Sequence, residues 1–351
     1  MLNMPLNYLF LVMMIFGTIF SISSVHWLSI WVGLELNLIG FLPILVYGKN
    51  IGESEAGTKY FIVQAMGSSF LMFSSLVLFS YTFSWEILGM LDFEYFLWSM
   101  LFLMMGLFMK IGMFPFHFWF PGVMSGLSWL SCLLLITWQK VAPVFLVSML
   151  MEAVGVIWLL LMVCIMSCGS AVVGGFGGMN QSQVRSLLAY SSIGHMGWIV
   201  FSLCQSCYNM KVYFLIYVVI SLCLFIVLWC SNATLMISLN NFIKCLFIDF
   251  SIILMFLSLS GLPPLLGFVA KWNVFVSISN FYMCGFILLL IFGSIMSLFY
   301  YLSLFFIFFV NIYNKIIGKE IFMNFNLISL VLLINLLGGF IMLMFDFYDF
   351  I

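Results

Sequence analysis

The sequence predicts an all-α, polytopic transmembrane bundle, and three observations carry that prediction. Of 351 residues, 66% are hydrophobic and 6% are charged, against about 25% charged residues in a soluble domain. So few charges cannot wet a surface of this size, so lipid must cover most of it. Apolar runs follow one another with short links, and about 20 apolar residues are what a helix needs to cross a bilayer. The runs are continuous and lack the alternating polarity, over about 10 residues, of a membrane barrel strand.

Length and punctuation predict about eleven spans. The first two cover Leu6 to Ser24 and Val25 to Tyr47. No convincing small-residue cleavage site separates them, so the first reads as a retained span, not a signal peptide. A polar link with Lys49, Glu53 and Glu55 precedes a third span from Lys59 to Thr82. The fourth runs from about Glu94 to Met113 and meets an interruption containing Pro115 and Pro121. The fifth covers Leu127 to Leu150 and the sixth Ala153 to about Gly175. A Gly- and Asn-rich turn leads to the seventh, Val184 to Leu203, and then the eighth, Lys211 to Leu239. The ninth, Leu246 to about Lys271, is broken by Gly261, Pro263 and Pro264. The tenth covers Tyr282 to Val310 and the last Phe325 to Phe345.

Basic residues favour the inner side of a membrane. Links after even-numbered spans carry Lys49, Lys59, Arg185, Lys244, Lys315 and Lys319. Links after odd-numbered spans carry Glu86, Asp92, Glu94 and Glu152, with Asp346 and Asp349 at the end and Lys211 as the clear base. The N-terminus is therefore expected inside and the C-terminus on the opposite side. Proline interrupts spans four and nine, five spans apart, so two such units would have opposite topology. Inverted repeats with matched broken helices are a recurring transporter architecture. The alternative is that the prolines are simple kinks.

Four ionisable residues stand inside or close to the apolar runs: Glu35, Lys110, Lys140 and Lys271. Each costs about 2.5–3.5 kcal/mol at a span centre, and four unpaired ones on the order of 10 kcal/mol. One acid cannot pair with three bases. Burial disfavours the charged form of acid and base alike, bringing each toward the point where it exchanges protons. A line of such groups on a wet path is a proton relay. The plainer reading is one structural ion pair, with snorkelling for the lysines near span ends; Lys140, near mid-span, fits that poorly. His117 lies in the first break and His195 lies among Ser191, Ser192 and Gly194. Either can link charged groups in a relay or serve as a packing residue. His26, at a span end, reads as interfacial.

Several chemistries are excluded or weak. Net charge is −1, so there is no basic footprint for nucleic acid. Three scattered histidines do not suggest haem ligation, and no dinucleotide fingerprint or P-loop is present. The nine cysteines are mostly single within apolar runs, where they act as small hydrophobes. Cys204 and Cys207 form one C-x-x-C, too little for a four-thiolate metal site; they read as loop cysteines, or as a disulfide if the loop faces an oxidising space.

Four stretches carry a family resemblance: GLELNLIGFLPIL from Gly33, MKIGMFPFHFWFPGVMSGLSWLSCLLLITWQKVAP from Met109, GGMNQSQVRSLLAYSSIGHMGW from Gly177 and LSGLPPLLGFVAKW from Leu259. In order and spacing they resemble the antiporter-like subunits of respiratory complex I, the mitochondrial NADH:ubiquinone oxidoreductase, and among these the subunit 2 family. The resemblance implies two inverted five-helix repeats, at residues 1–150 and 151–310, and a C-terminal helix within 311–351. It implies a membrane-arm subunit that couples quinone reduction elsewhere in the complex to proton movement. Glu35 and Lys110 match the family's acid–lysine pair, Lys140 its central lysine and Lys271 the lysine of the second broken helix. His117 and His195 match its polar linking residues. Ser186 departs from the pattern, where relatives often carry a second basic residue after Arg185.

The resemblance also implies that three N-terminal helices of bacterial relatives are missing, as in animal mitochondrial forms. The chain would hold no redox centre; NADH, FMN, iron–sulfur clusters and ubiquinone would belong to the whole complex. Its partners would be other membrane-arm and accessory subunits and membrane lipids. It would span the mitochondrial inner membrane many times, N-terminus in the matrix and C-terminus in the intermembrane space. A free-standing cation/proton antiporter and a structural membrane scaffold are the alternatives.

Overall fold

The computed structural model describes residues 5–48, 50–86, 93–154, 157–231, 246–278 and 283–315, with isolated positions between 332 and 339. Among these residues the chain is helical, with one isolated antiparallel bridge between His26 and Glu86. Seven helices are long and apolar enough to cross a membrane, and four shorter apolar helices accompany them. The expected last span and the links at Lys49, Asp92, Lys244, Lys319, Asp346 and Asp349 lie outside the described residues, apart from those isolated positions.

Large apolar side chains face outward, such as Val12, Phe16 and Ile19 near the start and Leu288, Ile295 and Phe299 near the end, whereas Lys110, Lys140 and Lys271 are buried. That inversion of the soluble pattern suits a surface solvated by lipid.

Contacts divide the chain into two compact units, residues 1–166 and 167–351. The first holds α1 (Pro5–Ser23), α2 (Trp27–Val46), α3 (Ile51–Thr82), α4 (Phe93–Ile111), α5 (Trp119–Gly126), α6 (Trp129–Ile136) and α7 (Trp138–Val154). The boundary falls within α8 (Ile157–Gly178). The second unit continues with α9 (Val184–Leu203), α10 (Cys207–Ser231), α11 (Leu246–Ser260), α12 (Leu266–Val276) and α13 (Cys284–Lys315).

Three elements differ from the sequence expectation. First, α3 starts eight residues early, at Ile51 rather than Lys59. The polar link forms its first turns, because Asn50 caps them through its carbonyl, 3.1 Å from the amides of both Glu53 and Ser54. Glu53 also puts an acid in the first turn, where the helix dipole favours one. Second, the fifth span is interrupted at Thr137, between α6 and α7. Pro143 lies inside α7, so the Gln139 carbonyl loses its usual donor and the ring crowds that turn. The Thr137 hydroxyl bonds the Leu133 carbonyl at 2.7 Å, a back-bond that also bends helices. Third, Pro121 is not part of the first break; it sits in the first turn of α5, where a missing N–H is harmless.

The two breaks close alike. After α4, Gly112 has φ +79° and the Met113 amide reaches back to the Phe108 carbonyl at 3.1 Å. After α11, Gly261 has φ +82° and the Leu262 amide reaches the Leu257 carbonyl at 3.3 Å. Both are Schellman-type endings, in which a left-handed glycine lets the chain satisfy its last carbonyls. Each is followed by a cis proline, Pro115 and Pro264.

Close backbone approach positions α2. A Cβ at Gly33 would lie 2.7 Å from the Ser21 amide nitrogen and 2.9 Å from the Gly17 carbonyl oxygen on α1. Small residues at such crossings are how membrane helices gain packing without a hydrophobic driving force. The bridge at His26–Glu86 and a 3.0 Å bond from the Trp27 amide to the Trp85 carbonyl tie the link after α1 to the segment after α3.

Gly33→Ala is expected to lower stability by about 1–3 kcal/mol, the scale of overpacking. Gly122→Ala, whose added methyl meets nothing within 4 Å, should be neutral or slightly stabilising. The midpoint of thermal unfolding of the detergent-solubilised protein distinguishes them.

Candidate functional site

In the first unit, Lys110 occupies the last turn of α4, just before the break, and is buried. Gly67 on α3 leaves room for its stem: a Cβ there would come within 3.2 Å of Lys110 Cγ. The carbonyl of Lys110, freed by the break, accepts a 3.3 Å bond from Gln64 Nε2. Glu35, on α2, lies within electrostatic reach of Lys110 and of Tyr60. Its Oε1 is buried and has no hydrogen-bond partner among the described residues. The expected acid and lysine are therefore within electrostatic reach of each other, and Oε1 is open to other donors.

Lys140 stands at the start of α7, beyond the Thr137 interruption. It is 2% exposed, and its Nζ has no hydrogen-bond partner among the described residues. The amine lies 4.5 Å over the ring of Phe120, a cation–π contact that offsets part of its desolvation. A structural ion pair would hold this lysine; an aromatic face leaves its hydrogens exchangeable.

A set of neutral groups ties these helices together. Asn37 and Gln139 exchange two amide bonds, at 3.0 and 3.1 Å, across α2 and α7. The Tyr60 hydroxyl donates to Gln139 Oε1 at 3.2 Å. Asn37 follows Glu35 by two residues and Gln139 immediately precedes Lys140, so the network fixes α2, α3 and α7 at the level of both ionisable groups. Sequence reasoning missed Asn37, Gln139, Tyr60 and Gln64. Amides inside apolar spans carry the same warning as charges, since hydrocarbon leaves them unsatisfied.

His117 lies in the first break, as expected, and is buried. Its described ring contacts are with Phe118, 4.1 Å between centres, and Phe114, 6.4 Å. They do not join it to the charged groups.

In the second unit, His195 is buried midway along α9; its Nδ1 lies 3.2 Å from the Tyr213 hydroxyl on α10. Lys271 lies in α12, after the second break, where it reaches back: Nζ donates to the Ser260 carbonyl, at the end of α11, at 2.7 Å. A cation at a helix C-terminus is favoured by the dipole and by the free carbonyls there. The two lysines thus attend their breaks from opposite sides in sequence, Lys110 before and Lys271 after. His195 and Lys271 line one cavity of about 20 Å³. Lys271 also lines a cleft of about 460 Å³ with Trp198, Phe268, Trp272 and Ile295. Cys204, at the end of α9, points its Sγ toward the Val200 carbonyl at 4.0 Å, and Cys207 begins α10; the two form no disulfide.

Among the described residues, no group of His, Cys, Asp and Glu is arranged to hold a metal ion. The arrangement favours proton transfer: buried titratable groups, partly unpaired and beside neutral hydroxyls and amides.

Known proteins align with these features. A family model described as the transmembrane part of NADH:quinone oxidoreductase and Mrp antiporters matches residues 24–299. NADH-ubiquinone oxidoreductase chain 2 of Locusta migratoria is 36% identical over 326 residues, covering 90% of this chain and 89% of that one. The Sus scrofa protein of the same name is 38% identical, covering 77% and 76%. In fold, the chain is similar to a chain of respiratory complex I from Thermus thermophilus, with TM-score 0.79, 24% identity and coverage of 96% and 79%. It is also similar to a chain of the Mrp complex from Dietzia, with TM-score 0.76, 14% identity and coverage of 90% and 61%. The chain belongs to the NADH:quinone oxidoreductase/Mrp antiporter membrane family, among the NADH-ubiquinone oxidoreductase chain 2 proteins.

Proposed function

We propose that this chain is a membrane-arm subunit of NADH:ubiquinone oxidoreductase that conducts protons, coupled to quinone reduction elsewhere in the complex. The observation that carries the reading is Lys140: a buried amine with no hydrogen-bond partner among the described residues, next to an amide network that fixes its helix. Glu35 and Lys110 form the acid–base pair of the first unit, and His195 and Lys271 serve the second. His117, set among aromatic rings in the first break, is the weakest member. The redox groups, NADH, FMN, iron–sulfur clusters and ubiquinone, belong to other subunits.

The reading takes the chain as the family's two inverted five-helix repeats, at 1–150 and 151–310, followed by a C-terminal helix within 311–351; a division into two compact units, 1–166 and 167–351, supports a two-part build. The chain lies in the mitochondrial inner membrane beside other membrane-arm subunits, accessory subunits and lipid, with its N-terminus in the matrix. The His26–Glu86 bridge supports this topology, because it puts the links after the first and third spans at one end of the first unit. A cysteine at Lys59 should then react with an impermeant maleimide from the matrix side only, and one at Glu86 from the opposite side only.

Lys140→Gln and Glu35→Gln are expected to assemble and to keep NADH oxidation by the solubilised complex. Proton transfer should slow by about 10²–10⁴-fold, as loss of a positioned acid–base group does. Proton uptake by vesicles reconstituted with the complex measures this; normal pumping in both variants would leave only a scaffold.

Gln139→Leu leaves the Asn37 amide buried and unpaired, at about 1–3 kcal/mol, and should lower the thermal midpoint and pumping together. The triple variant Asn37→Leu, Tyr60→Phe, Gln139→Leu should regain stability, since neither amide nor the Tyr60 hydroxyl is then orphaned, without regaining pumping. Recovery of both would reduce the amide network to packing.

A further inference from the structure

Glu53 falls in a polar link of the sequence, yet the structure buries it in the first turn of α3, where it is 5% exposed. The other ionisable residues of those turns, Glu55 and Lys59, are exposed. The Glu53 side chain lies against the chain just beyond α2, where a Cβ at Gly48 would overlap its Oε2. Asn50 Nδ2 donates to Oε1 at 3.4 Å, a long bond, and Oε2 has no hydrogen-bond partner among the described residues. Glu53 is thus a buried acid with an open oxygen, outside the relay described above.

Capping is the plainer account. Asn50 stands at the N-cap and Glu53 three residues on, where an acid or an amide can reach back to close the first turn. That accounts for Oε1 and leaves Oε2 unexplained. A buried polar atom without a partner costs about 1–3 kcal/mol, and more when charged. The α3 dipole offsets part of that. A cap needs neither the burial nor the charge, since glutamine serves there as well.

Position along α3 supplies a reason for the acid. From Glu53, the buried residues Gly57, Tyr60, Gln64 and Gly67 follow at steps of four and three, which is one face of a helix. That face carries the site of the first unit. Tyr60 bonds Gln139, the neighbour of Lys140, and lies within electrostatic reach of Glu35. Gln64 holds the Lys110 carbonyl, and Gly67 makes room for the Lys110 stem. Glu53 is the ionisable residue at the start of this row, seven residues and about 10 Å before Tyr60. Between them the buried face of α3 carries Ala56 and Gly57, so no bulky α3 side chain stands in the way.

We propose that Glu53 is the proton-uptake acid of the first unit, loading from water at the matrix surface and delivering toward Glu35 and Lys110. The proposal rests on the relay reading and on the topology with the N-terminus inside. At uptake an O–H bond breaks on a hydronium ion and one forms at Glu53 Oε2. At delivery that O–H bond breaks and one forms on a water that carries the proton on. The carboxylate is regenerated, and nothing is oxidised or reduced.

Two variants of the assembled complex separate an acid from a cap. Glu53→Gln keeps length, shape and capping ability and loses the exchangeable carboxyl proton. Glu53→Asp keeps the acid and is one methylene shorter, so it weakens the cap. Proton uptake by reconstituted vesicles should slow by about 10²-fold or more in Glu53→Gln, with an unchanged thermal midpoint. Glu53→Asp should stay much nearer the unmodified rate. A cap gives the reverse order, because it follows shape and not acidity. Lys140→Gln is the control for the relay. If Lys140→Gln is impaired, normal uptake in Glu53→Gln or equal slowing in both Glu53 variants overturns the inference and leaves the relay reading standing. Normal uptake in Lys140→Gln overturns the relay reading and this inference with it. Reaction of Lys59→Cys with an impermeant maleimide from the intermembrane-space side overturns the topology, and the inference with it.

Discussion

Hydrocarbon offers no hydrogen bonds, so every polar group that enters it must find a partner within the protein or a wet cavity. The rest of this structure depends on that constraint. It makes helices the default, and it makes each helix end inside the bundle a problem to be solved locally. At both breaks the solution begins with a left-handed glycine, Gly112 or Gly261, which turns the chain so that amides return to the last carbonyls. One further carbonyl at each break is met by a side chain: Gln64 reaches Lys110 and Lys271 reaches Ser260. Interrupted helices are tolerated here because several of the freed backbone groups are met locally.

The same constraint explains why the ionisable residues are informative. A charge retained only for structure would be expected to sit in a closed pair, because an unpaired one is costly to bury. Lys140 is held against an aromatic ring, and Glu35 Oε1 has no hydrogen-bond partner among the described residues. Neither is locked in a closed pair among the described residues, which is the arrangement the proposed proton relay requires. The rigid part of the site is neutral. Asn37, Gln139 and Tyr60 are uncharged and bond to one another, so they hold α2, α3 and α7 together beside the ionisable groups.

Small residues make this geometry reachable. Gly17 and Gly33 let α1 and α2 approach to backbone distance, and Gly174 faces Gly194 in the second unit. Close approach brings short polar side chains within reach of neighbouring helices. The glycine at 194 also leaves space at the cavity that Ser191, Tyr301 and Lys271 line.

Much was legible from the sequence alone, and the reason is physical. Composition identified a membrane chain, because lipid is the solvent for a surface with so few charges. Proline and glycine marked both breaks, because they act through local backbone geometry. Glu35, Lys110, Lys140 and Lys271 stood out, because a charge in an apolar run is rare whatever surrounds it. The motifs around them carried the family resemblance. What the sequence could not decide was which groups meet. The Asn37–Gln139 exchange joins residues 102 apart, and neither amide announces a partner. Lys271 lies beyond its break in sequence, yet folds back to the carbonyl before it. The interruption at Thr137 combines a hydroxyl and a proline that singly need not break a span. Tyr300 and Tyr301 read as two more aromatics in a greasy helix until the fold placed their hydroxyls at a polar cavity. Residue type and local spacing determine what a segment is able to do; only the tertiary packing decides which of those capacities face one another.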